Sequence, residues 1–87
     1  MYTYSKHIKI RMEERNITLS VIEMLIRSLV DTVRSESKKD ESVLKVMGFV
    51  GLKGYVVFLN KETNILITTR RMRKKEERFF MEVKRNG

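Results

Sequence analysis

Between Val43 and Thr69 three apolar runs follow one another with short interruptions, and this stretch limits what the chain can become. Val43–Val50 is dense enough in apolar side chains to be a strand covered on at least one face. Tyr55–Leu59 and Ile65–Thr69 are further strands. Gly48, Gly51 and Gly54 punctuate the first two and supply backbone freedom for a bend or hairpin. Asn60-Lys-Glu-Thr-Asn64 fits a hairpin loop before the last. Val30–Arg34, β-branched and alternating, adds a fourth strand ahead of the polar loop SESKKDES. The expectation is an antiparallel meander.

The segments on either side must cover that sheet. Met1–Tyr4 reads as extended chain. Ser5 is a candidate N-cap for a helix over Lys6–Arg15, with Ile8 and Met12 one turn apart and Ile10 flanking them. Asn16 and Ile17 interrupt the charge pattern. Ser20-Val-Ile-Glu23 then has capping-box spacing ahead of Val21, Ile22, Leu25, Ile26 and Leu29, a helical stripe that makes this the main core helix. At the other end, Arg71–Val83 is rich in good helix formers, with Met72, Phe79, Phe80 and Val83 on one side; continuation as a strand is the alternative. The expected class is α+β: two N-terminal helices packed on a four-stranded antiparallel sheet, followed by a C-terminal helix, all in one domain spanning 1–87.

At 87 residues the chain suits a single core. It has no cysteine and one histidine, so neither a disulfide nor a zinc site follows, and no metal or cofactor is expected. The apolar windows fall short of a membrane span, and the N-terminus lacks a secretory pattern; the expectation is a cytoplasmic protein without a membrane segment. The formal charge of +8 attracts phosphate backbones, which makes RNA or DNA the first partner to consider. An acidic partner protein can use the same charge, and lysine also serves solubility.

Four constellations carry chemistry. His7, Arg11 and Arg15 recur every four residues on one stripe of the first helix, where an imidazole can move a proton while guanidiniums hold a phosphate; the spacing equally fits a solvated face. Arg70, Arg71, Arg73 and Lys74 gather with Lys75 where the last strand gives way to a helix. Arg70 stands out because the strand fixes its direction. Glu76 and Glu77 fit ion pairing with Arg70, Arg73 or the lysines, or, less simply, a general-base role. Among the aromatics, Tyr55 beside basic residues can stack on a base or donate to a phosphate, whereas Phe49, Phe58 and Phe79 are expected in the core.

The run from Ser5 through His7, Arg11-Met12, Arg15 and Ile17 to Ser20-Val21 resembles the opening of small BrnT-like domains of the RelE superfamily, in an uncharacterised branch. Ile67-Thr-Thr69-Arg70-Arg71-Met72 with Glu76, Glu77, Arg78 and Phe79 resembles their closing pattern, with Phe79 where a tyrosine is usual. The resemblance implies a toxin-type, metal-independent endoribonuclease acting on messenger RNA, which can be ribosome-bound, and neutralised by an antitoxin protein. It assigns His7 as acid or base, Arg11 and Arg70 as phosphate and transition-state contacts, and Glu76 as the terminal-helix glutamate. Arg15, Tyr55, Arg71, Arg73 and Lys74 would contact the nucleic acid.

This nuclease reading requires His7 and Arg70 to converge on one concave surface of the sheet. The alternative is a non-enzymatic basic module that grips nucleic acid or an acidic protein. A further reading is a homodimer formed through Val30–Arg34 or through the terminal helix with Phe79 and Phe80.

Overall fold

The structure, a computed structural model, describes residues 2–28 and 31–86. Leu29, placed at the end of the core stripe, and Val30, placed at the start of a strand, lie outside the described residues. The elements in order are β1 (Thr3–Tyr4), α1 (Lys6–Glu14), α2 (Leu19–Arg27), β2 (Thr32–Glu36), β3 (Val43–Val50), β4 (Lys53–Asn60), β5 (Ile65–Arg71) and α3 (Lys74–Asn86). The class is α+β as expected, but the sheet has five strands, in the order β1-β5-β4-β3-β2. The additional strand is the extended N-terminus: Thr3 and Tyr4 pair in parallel with Ile65 and Leu66. The amide of Thr3 donates to the Asn64 carbonyl at 2.9 Å and that of Ser5 to Leu66 at 3.1 Å. The remaining pairs are antiparallel.

Ser5 caps α1 as expected, its hydroxyl accepting from the amide of Ile8 at 3.0 Å. The same hydroxyl donates to the Ile67 carbonyl, so the cap also ties α1 to β5. The cap of α2 differs from the expected Ser20: it is Thr18, whose hydroxyl faces the Val21 amide. Asn16 takes a left-handed φ of 53°, and Ile17 is swallowed by the core, which fixes the chain early enough for the helix to begin at Leu19. The strand expected from Val30 is assigned over Thr32–Glu36.

The two sheet faces bury different clusters. Under α1 and α2 lie Ile8, Ile17, Ile22, Leu25, Val46, Tyr55, Val57, Leu59 and Leu66. Under α3 lie Val33, Met47, Val56, Met72 and Phe80, with Phe49 and Phe58 packed against them. Phe79, expected in the core, is 45% exposed; Phe80 takes its place, its ring edge-on to Phe49 at 5.3 Å. The α3 helix starts three residues later than expected, because β5 continues through Arg71 and Met72 folds onto the strand beside Gly54. A Cβ on Gly54 would come within 2.9 Å of Met72 Cβ, so the glycine permits that close approach.

One irregularity in β5 decides which arginine faces which helix layer. Phe58 pairs with Thr68 but Leu59 pairs with Leu66, which leaves Ile67 as an extra residue at a bulge. An uninterrupted strand would direct Leu66 and Arg70 to the same face. The bulge inverts the phase, so Thr69 and Arg71, opposite Val57 and Tyr55, face α1 and α2, while Arg70, opposite Val56, faces α3.

Candidate nucleic-acid interface

On the α1 side, a row of cations runs along the helix and onto the end of β5. His7 is exposed, and its Nε2 accepts from Arg11 Nε at 3.4 Å. Arg11 also pairs with Glu14 at 2.7 Å, an exposed i,i+3 contact that tempers its charge without burying it. Arg15 donates from NH1 to the Thr69 carbonyl at 2.7 Å, which fastens one end of its guanidinium to β5 and leaves the rest facing solvent. Two residues further along the same strand face, Arg71 lies over the Tyr55 ring at 5.3 Å and donates from Nε to the Gly54 carbonyl at 3.2 Å. Lys53, two residues before Tyr55 in β4, shares that face.

The expected contacts Arg15, Tyr55 and Arg71 are therefore brought together, with His7 and Arg11 leading up to them. Tyr55 itself is 7% exposed and acts as the platform beneath Arg71, a correction to its expected role as a stacking surface for a base. Arg73 and Lys74 are exposed at the β5–α3 junction.

Arg70 is elsewhere. The sheet separates it from the His7 row, so the expected convergence of His7 and Arg70 on one hollow is not formed. Its guanidinium grips Glu76 with both terminal nitrogens, at 2.6 and 2.8 Å. Lys45 closes on the same carboxylate from β3, and the Arg73 amide donates to it at 2.8 Å. Glu76 is thus the third residue of α3 reaching back to the residue that precedes the helix, one half of a capping box. Burial raises the carboxyl's pKa, but the hydrogen bonds from Arg70, Lys45 and Arg73 and the Arg70 charge outweigh it and hold the value at about 2. Arg70 and Lys45 both lie over the Phe58 ring, at 5.5 and 6.0 Å. Of the two readings open for Glu76, ion pairing is the one its contacts display.

Two residues absent from the sequence-based set matter here. Lys45 was legible as a lone lysine within the apolar run Val43–Val50, a position that requires a charged partner. Arg34 sends NH2 to the Ile26 carbonyl at 2.7 Å near the end of α2, a contact no local pattern announces. A depression between α2, β2 and the β3–β4 turn carries Glu23, Arg27 and Asp31, a mixed-charge lining unlike the cationic row. Among the described residues no cluster of three or more histidine, cysteine or acidic side chains is placed to hold a metal ion. Among them, too, no helix is long and apolar enough to cross a membrane. Comparison of the chain with family models, with curated proteins and with solved structures finds no match.

Proposed function

We propose that this protein is an RNA-binding module that grips the phosphodiester backbone along α1 and the end of β5 without cutting it. The observation that carries the reading is the joining of Arg15 to Thr69 and the seating of Arg71 on Tyr55, which line up guanidiniums from two elements on one side of the sheet. A four-residue step along a helix spans about 6 Å, so successive arginines of α1 can address separate phosphates. The net charge of +8 supplies long-range attraction. RNA is preferred to DNA because the Ser5-to-Val21 segment resembles the opening of RNA-cutting toxin domains. Arg70 is engaged by Glu76 across the sheet from the imidazole, which argues against turnover.

Fluorescence anisotropy of a labelled oligoribonucleotide across a salt series tests this directly. Binding should weaken steeply with salt, and Arg15→Ala and Arg71→Ala should each lower the slope of log affinity against log salt by about 1. Affinity that survives both substitutions would reject the site, and preference for an acidic protein over RNA would reject the ligand. Cleavage of the probe in chelator, lost in His7→Ala, would restore the nuclease reading with Arg71 in the position first given to Arg70.

A further inference from the structure

The network under α3 has more positive than negative charge: Arg70 and Lys45 converge on the single carboxylate of Glu76, which is 8% exposed. For stability alone, an apolar pair of similar volume serves as well as a buried ion pair. The donors gathered here are those a phosphate takes: a guanidinium fork, an ammonium point charge and a main-chain amide, from Arg73, at the start of a helix. Phe58 lies beneath both cations and would keep them placed if the carboxylate left. The carboxylate arrives on α3, whose buried side chains are Glu76 and Phe80 alone among its described residues, while Phe79, Met81 and Val83 remain exposed.

We infer that Glu76 is an internal substitute for an RNA phosphate, filling a second anion site made by Arg70, Lys45 and the Arg73 amide. While α3 is docked, that site is closed. Releasing the Glu76 contact opens it, and an RNA phosphate then takes the carboxylate's place. The latch limits the protein to the α1 face until the helix yields. This inference rests on the RNA reading above and adds to it a second site on the opposite face of the sheet.

The test compares a short fluorescent oligouridine bound to the wild type, Glu76→Gln, Glu77→Gln and Glu76→Gln/Arg70→Gln, with circular dichroism to follow helix content. Glu77→Gln is the control, since it adds the same net charge from an exposed position on α3. Glu76→Gln should tighten binding about tenfold beyond Glu77→Gln, and adding Arg70→Gln should erase the gain. Equal affinity of the two single variants would overturn the latch. Should Glu76→Gln lose its fold, Glu76→Asp, which keeps the charge but shortens the reach, should show an intermediate gain, and no gain there overturns the proposal as well. Wild-type binding that depends on Arg15 and Arg71, with no difference between the Glu76 and Glu77 variants, would sink the latch and leave the α1 face standing. Binding that appears only in Glu76→Gln would do the reverse.

Discussion

The sheet's two faces solve the covering problem differently. Under α1 and α2 the interior is apolar, with Ile8, Ile22 and Val46 fully buried, and the cations stay at the margin. Under α3 a smaller apolar cluster shares its space with an ion network, and the covering helix contributes one aromatic anchor and one carboxylate. Charge at a margin is available to a ligand. Charge in the interior is already answered, and it contributes to holding α3 only while its partner stays ionised.

The comparison can be broken most forcefully in the first core. Ile22→Ala should cost about 3 kcal/mol and lower the whole unfolding transition, because it leaves a cavity where both helices and the sheet meet. Phe80→Ala should instead remove helical signal while the sheet persists, a local release of α3 that circular dichroism and amide exchange would distinguish. If both variants unfold in one identical step, the two faces are not separable layers.

Acid sharpens the same contrast. With its folded pKa held at about 2, against an ordinary 4.5, Glu76 contributes stability that is complete above pH 4.5 and is lost as pH falls through about 2. Urea titrations should therefore show wild type and Glu76→Gln converging below that window, with Glu76→Gln flatter across it. Parallel curves would mean the carboxylate is not what fastens the helix.

The smallest expected effects concern the caps. Thr18→Ala should cost about 1 kcal/mol and Ser20→Ala less than about half of that, measured by thermal melts. The reverse order would mean that α2 starts where the capping-box spacing suggested.

These cases show what was readable from residue order. The β3 run announced itself through an apolar pattern broken only by Lys45 and Gly48, and its observed bounds, Val43–Val50, coincide with the expected ones. The α1 cap was legible because Ser5 stands directly before an amphipathic segment. The α2 cap was not, because Thr18 and Ser20 are both competent and the choice is made by tertiary burial of Ile17. Arg70 and Arg71 were recognised within one cationic cluster, with Arg70 singled out, but which of them faces α1 depends on the bulge at Ile67, and Ile-Leu-Ile-Thr-Thr carries no glycine or other local mark of an extra residue. A register slip of one residue exchanges the faces, and with them the two arginines' roles.

The central claim is that RNA meets the cations of α1 and β5 rather than those beneath α3. Titrating an isotopically labelled sample with oligouridine and following backbone and arginine side-chain resonances by NMR would test it most directly. The largest shifts should fall on Arg11, Arg15 and Arg71, with Lys45 and Arg70 nearly still in the wild type. Shifts centred on Lys45, Arg70 and Glu76 while the α1 row stays unmoved would contradict the account.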